Sequence, residues 1–214
     1  MEDRIREMVD RIHWIGHASF KIAASKTVYI DPWKLPPSEG GDAHLVLVTH
    51  DHYDHCSPPD IKRSLGPGGQ VLAAECCRVK YPDADFYALP FTSHDIQGIP
   101  VYVTAAYNLN KKFHLREYGH CGYIINIDGV KIYHTGDTDA IPHMREFSCD
   151  IVLLPVSGTY VMDPVEAVDA CNLLEPQVAI PMHWGDPDVV GTRDDAERFA
   201  RLAPCEVVIK DSLR

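Results

Sequence analysis

Apolar positions fall in short runs spaced by turn residues, and the period of each run predicts an element. Leu45-Val46-Leu47-Val48 is a continuous apolar run and predicts a strand covered on both faces. Residues 12–15, 19–22 and 27–30 alternate in part and read as three earlier strands, broken at Gly16 and by a turn at 24–26. Residues 70–74, 85–89, 100–105, 151–154, 178–181 and 206–209 predict further strands. Residues 121–127 and 130–134 predict a hairpin through Asp128-Gly129, a dipeptide suited to a two-residue turn.

Helices are predicted where capping residues precede an apolar face. Residues 2–9 read as a short charged lead-in helix. Ser57-Pro58-Pro59-Asp60 predicts a helix start with Ser57 as its cap, and residues 65–69, rich in glycine, its stop. Asp163-Pro164-Val165-Glu166 carries a cap, a first-turn proline and a capping-box acid, and Thr192 caps a last helix to residue 203. Helical turns are expected near 75–80 and 141–147. Strands interleaved with helices indicate an α/β or α+β domain, and no linker or repeat divides residues 1–214.

The apolar run at 45–48 empties into Thr49-His50-Asp51-His52-Tyr53-Asp54-His55. Imidazoles and a carboxylate on a short loop behind a rigid strand suit a divalent metal. The pattern H-x-H-x-D-H formed by His50, His52, Asp54 and His55 resembles the metallo-β-lactamase superfamily. Gly16-His17-Ala18-Ser19-Phe20 resembles its lactonase-like branch, that of L-ascorbate-6-phosphate lactonase and related hydrolases.

The resemblance implies a four-layer αββα sandwich and two divalent ions, zinc first, with manganese or iron accepting the same ligands. It implies that Asp137, in Tyr133-His134-Thr135-Gly136-Asp137-Thr138, bridges the ions, with Gly136 letting the backbone approach them. It implies that His183, in Pro181-Met182-His183-Trp184-Gly185, is a late ligand. A further histidine is expected soon after residue 105, where this chain has Asn108. His114 is the preferred substitute, ahead of His120 and His94. One ion is then held by His50, His52 and His114, the other by Asp54, His55 and His183. Asp54 also orients a shared hydroxide that attacks a carbonyl or phosphoryl centre. Asp31 is expected to brace the loop, and His17, His134, Tyr160 and Trp184 to lie near the pocket.

Charge narrows the partners. Twenty basic against 31 acidic residues leave a formal net charge of −11, which argues against a nucleic-acid surface and favours a small-molecule substrate, polar or anionic by the resemblance. No apolar run approaches the ~20 residues that cross a bilayer. Seven cysteines without a C-x-x-C pair suggest reduced thiols in the cytoplasm, Cys56 being a small buried residue beside the loop. The leading reading is a metal-dependent hydrolase of an ester, lactone or phosphoester. A di-iron redox protein is an alternative, which His52 weighs against because such relatives tend to carry Glu there. A non-catalytic metal-binding protein is the third.

Overall fold

The computed structural model describes residues 3–214 and is a mixed α/β sandwich of two sheets with helices outside. The first sheet has six strands in chain order: β1 (Ile12–Gly16), β2 (Ser19–Ala23), β3 (Thr27–Ile30), β4 (Ala43–Val48), β5 (Leu65–Ala74) and β6 (Phe86–Ala88). The second has seven: β7 (Ser93–Ile96), β8 (Ile99–Ala105), β9 (Cys121–Ile127), β10 (Val130–His134), β11 (Ile151–Pro155), β12 (Val178–Met182) and β13 (Glu206–Val207). The helices are α1 (Asp3–Arg11), α2 (Pro58–Ser64), α3 (Pro164–Leu174) and α4 (Arg193–Leu202). The four-layer αββα expectation matches this architecture.

β4 lies between β3 and β5, parallel to both, with Leu45 through Val48 fully buried. A strand covered on both faces and bonded on both edges has no freedom to shift, so the loop leaving Val48 is anchored at its root. Inner faces of both sheets share one apolar core, and Tyr123 of β9 crosses it to donate its hydroxyl to the Val48 carbonyl at 2.8 Å. α3 begins with the predicted capping box: Asp163 accepts from the backbone of Val165 and Glu166, and Glu166 accepts from Asp163 N.

Several expectations are corrected. β5 starts at Leu65 rather than at residue 70. Leu65 pairs with Ala43 and Gln70 with Leu45, so the glycine-rich residues between form an irregularity inside a strand instead of a simple helix stop. Ser57 sits at the N-cap of α2, its carbonyl accepting from Ile61 N at 2.9 Å, but its hydroxyl donates to the Asp60 carboxylate at 2.9 Å instead of accepting from the helix backbone. β7 was not predicted; it pairs antiparallel with β8 through Gln97-Gly98, both at positive φ, as a tight hairpin turn requires. The turns near 75–80 and 141–147 are 3-10 segments at Glu75–Arg78 and Pro142–Glu146. The last strand has two residues only. α1 runs on to Arg11, and the part of the predicted lead-in helix at residue 2 lies outside the described residues.

Candidate metal centre

The loops that follow β3, β4, β8, β10, β11 and β12 all gather at one end of the sandwich. Open α/β sheets place ligands beyond the carboxyl ends of parallel strands, which is where these loops meet. His50 to His55 come from the loop after β4, His114 from the segment after β8, Asp137 from the loop after β10 and His183 from the residue after β12.

Asp137 is the centre of the arrangement. Its Oδ2 lies 3.2 Å from His114 Nε2, 3.2 Å from His183 Nε2, 3.4 Å from His55 Nε2 and 3.8 Å from His50 Nε2. His52 joins through Nδ1, 3.2 Å from His114 Nε2. Asp54 stands beside His55, 4.0 Å from its Nε2. All of these except His52, which is half-buried, are buried.

The far nitrogen of four of these rings is held by the protein. His55 Nδ1 donates to Asp31 at 2.7 Å. Thr49 gives its hydroxyl proton to Asp31 at 2.6 Å, so its oxygen is left to accept from His50 Nδ1 at 2.9 Å. His114 Nδ1 donates to the Tyr160 carbonyl at 3.0 Å, and His183 Nδ1 lies 2.9 Å from Ser157 Oγ. A ring whose Nδ1 carries the shared proton presents a lone pair on Nε2, the form that binds metal. Asp31 thus braces the loop through three contacts, since it also accepts from Thr49 N at 2.8 Å.

The opposite edges of two of these rings are unsatisfied. His50 Nε2, His55 Nε2 and Asp137 Oδ1 are buried with no hydrogen-bond partner. Buried polar atoms without partners are costly and uncommon, and here they converge on one space. Divalent cations among these atoms would satisfy them, so the donor set fits metal.

Electrostatics agree. Burial opposes charge on His55, but Asp137 and then Asp31 override it and hold the imidazole well above its usual range. Burial likewise opposes ionised Asp137, and the surrounding His55 and His183 hold it well below the carboxylate range. His50 goes the other way: burial, reinforced by His55, keeps it neutral. The centre therefore demands positive charge beside Asp137, which a cation can supply in place of a proton.

His114 reaches the centre because its loop folds back. Asn108 N donates to the His114 carbonyl at 2.8 Å, and Asn108 Nδ2 donates to the carbonyls of Phe113 and Tyr160 at 2.9 and 2.7 Å. The asparagine thus shapes the loop that delivers the histidine. His120 is buried and stacked 4.6 Å from His50, with Nε2 3.8 Å from Asp51. His94 is on β7, 3.2 Å from Thr92 Oγ1, in a different surface depression, so it is no part of this centre. His134 is a structural residue: Nε2 donates to the Ala18 carbonyl at 2.9 Å and Nδ1 accepts from Gly136 N at 3.2 Å. Trp184 packs on Trp14 at 4.4 Å between ring centres and donates its indole N–H to Pro181 O at 3.0 Å. Gly136 has φ +65°, and a Cβ there would come within 2.4 Å of the Cys121 carbonyl. That close approach to β9, rather than an approach to metal, is what demands glycine.

Sequence reasoning placed His17 and Tyr160 near the pocket without a specific contact, and it missed Ser157. His17, fully buried, donates Nε2 to Asp54 at 3.0 Å, and its ring lies 4.1 Å from that of His183. Burial pulls its pKa down to about 4. The Tyr160 carbonyl and the Ser157 hydroxyl hold the rings of His114 and His183. A second unforeseen feature is backbone strain: His17, Asp31, His114 and His183 all have φ between +47° and +62° without being glycine. Such residues persist where surrounding structure over-determines them, and they collect at functional sites.

A cleft of about 590 Å³ opens over Asp137, lined also by His52, Asp54, His114 and His183. A β-lactamase superfamily domain model matches residues 11–183. The chain belongs to the metallo-β-lactamase superfamily. Within that superfamily it is 32% identical to a UPF0173 metal-dependent hydrolase of Thermococcus kodakarensis, over 93% of this chain and 95% of that one. It is 35% identical to the UPF0173 metal-dependent hydrolase of Nitratidesulfovibrio vulgaris, over 92% and 90%. The crystal structure of a candidate metal-dependent hydrolase from Parabacteroides distasonis superposes with a TM-score of 0.81 at 25% identity, covering 94% of this chain and 92% of that one. CmlA, a diiron β-hydroxylase from Streptomyces venezuelae, shares the fold alone, with a TM-score of 0.75 at 13% identity over 94% of this chain and 52% of its own. The superfamily member described here is thus grouped with metal-dependent hydrolases of this fold.

Proposed function

We propose that the protein is a binuclear metal-dependent hydrolase of a small ester, lactone or phosphoester. His50 Nε2, His52 Nδ1 and His114 Nε2 would hold one ion, and Asp54, His55 Nε2 and His183 Nε2 the other, with Asp137 between them. The observation that carries this is the set of buried, partnerless ring nitrogens and the Asp137 oxygen, all aimed at one space while most of the same rings are fixed from behind. Divalent ions in such a set supply Lewis acidity and make a bound water acidic near neutral pH.

The protein's own residues do the rest. His17 fixes the Asp54 carboxylate by donating to its Oδ2, the oxygen that also stands 4.0 Å from His55 Nε2, so the carboxylate is held beside the centre where it can orient the attacking nucleophile. Asp31 keeps His55 in one tautomer, and Thr49 does the same for His50. The lactonase-like segment at residues 16–20, which contributes His17, supports including lactones among the substrates. Zinc is the first choice of ion, since imidazole and carboxylate suit it.

Free thiols at all seven cysteines support a reducing, cytoplasmic compartment. No helix among the described residues is long and apolar enough to cross a membrane. The test is turnover of an ester, lactone and phosphodiester panel by the zinc-loaded protein, with His183→Ala alongside. Turnover that chelation and His183→Ala both abolish is expected. Turnover surviving either would overturn the assignment.

A further inference from the structure

We propose that the substrate is an uncharged acyl compound carrying an aromatic or branched alkyl group, and not a phosphoester or other anion. The inference rests on the hydrolase reading and deepens it. It comes from what the cleft wall contains once the candidate ligands are set aside. Tyr53, Phe113, Tyr160, Pro187, Val189 and Val190 form that wall, and the only charged side chain among the remaining lining residues is Asp188.

The apolar character is not a buried core showing through. Tyr53 is 60% exposed, Phe113 46% and Val190 38%, so three large apolar side chains face water at the mouth. Phe113 and Tyr160 meet edge to face at 4.6 Å, which fixes a two-ring platform next to His114. A clustered apolar surface beside convergent polar groups is the usual composition of a small-molecule site. Its area favours a flat or branched hydrocarbon group placed within reach of the centre.

Anion recognition calls for Arg or Lys with free donors. Among the described residues, neither type lines this cleft. Lys34, Lys111 and Arg214 on the surrounding loops are each already paired with carboxylates. Lys34 Nζ lies 2.8 Å from Asp186 and 2.6 Å from Asp188, Lys111 is held by Asp139 and Glu166, and Arg214 by Asp186. Lys112 is exposed on the same loop as Phe113 but is not in the wall. The one charged wall residue, Asp188, is an acid already paired with Lys34, so the wall offers an anion no free cation. The expectation of an anionic substrate thus finds no receptor in the wall.

The test compares methyl phenylacetate, methyl acetate, monomethyl succinate and a dimethyl phosphate diester as substrates of the zinc-loaded full chain, by pH-stat. Phenylacetamide, acetamide and succinamate serve as inert ligands in calorimetry. Methyl phenylacetate is expected to exceed methyl acetate in kcat/KM by about tenfold or more, with monomethyl succinate and the phosphodiester below both. Phe113→Ala is expected to lower kcat/KM for methyl phenylacetate more than for methyl acetate, chiefly through KM. Hydrolysis of the esters with no phenyl preference, or with the succinate or phosphodiester preferred, overturns this inference and leaves the hydrolase reading standing. Tighter binding of phenylacetamide than of acetamide and succinamate, weakened by Phe113→Ala but with no ester or phosphodiester turned over, overturns the hydrolase reading and supports the cleft assignment. No preference among the three amides overturns the inference whatever the turnover.

Discussion

Asp31→Ala should damage both the fold and metal binding, and the structure sets the size of each effect. Asp31 is fully buried and accepts from Thr49 N, Thr49 Oγ1 and His55 Nδ1 at 2.8, 2.6 and 2.7 Å. Alanine leaves three buried donors without an acceptor. Each such loss costs about 1–3 kcal/mol, and some relaxation of the loop is expected, so the total should be roughly 3–5 kcal/mol of unfolding free energy. The same change frees the His55 ring, and it leaves the Thr49 hydroxyl to rotate so that His50 loses its fixed tautomer. Losing partners of this kind lowers metal affinity by about 10- to 100-fold. Urea unfolding of the metal-free protein reads the first effect. Zinc affinity against a chromophoric chelator reads the second. Asp31→Asn separates them, because the amide keeps the shape and one acceptor oxygen but presents a donor where His55 or Thr49 donates. Wild-type stability and wild-type zinc affinity in Asp31→Ala would refute the argument that the loop is held from behind by this carboxylate.

Arg214→Ala should raise KM with little change in kcat, because Arg214 ties Asp186 to the Gly16 and Trp33 carbonyls and so supports the segment 187–190 that roofs the cleft; steady-state kinetics on a turned-over ester checks it, and a fall confined to kcat would contradict it. Asp186 has its pKa lowered: burial works against the carboxylate, and Lys34 and the Asp188 N–H outweigh it. A group with a depressed folded pKa stabilises above its unfolded value, here about 3.8, and that contribution disappears as pH falls below it. Melting temperature should therefore decline more steeply below pH ~4 in wild type than in Asp186→Asn, and parallel curves would count against it. Gly136→Ala should cost about 2 kcal/mol or more, since the added methyl meets the Cys121 carbonyl at a left-handed backbone position; an unchanged denaturation midpoint would show that the strand crossing gives way freely.

Much of this was legible because it is local. The run 45–48 declares a doubly covered strand, and its buried neighbours β3 and β5 confirm why no polar residue interrupts it. Asp128-Gly129 set the β9–β10 turn, and Asp163 to Glu166 set the start of α3, since in each case the needed backbone conformation and hydrogen bonds lie within four residues. β7 escaped because it is an edge strand: Ser93, His94 and Asp95 face solvent in part and leave no apolar alternation to read. The sequence pointed to H-x-H-x-D-H, Asp137, His114 and His183, and the fold brings them together. The His17 contact with Asp54 spans 37 residues, and the Ser157 contact with His183 spans 26, so only tertiary packing reveals them. Positive φ at His17, Asp31, His114 and His183 was equally hidden, because none is glycine. Gly-His at 16–17, directly behind a short strand, was the one local hint.

Metal content tests the central claim most directly. Protein purified without tags or added metal, then reconstituted with zinc and dialysed, is analysed for bound ions per chain beside His114→Ala and Asp137→Ala. Two ions per chain in wild type, about one in His114→Ala and neither retained in Asp137→Ala is the predicted pattern. One ion per chain in wild type, unchanged by His114→Ala, would contradict the binuclear centre and remove His114 from it.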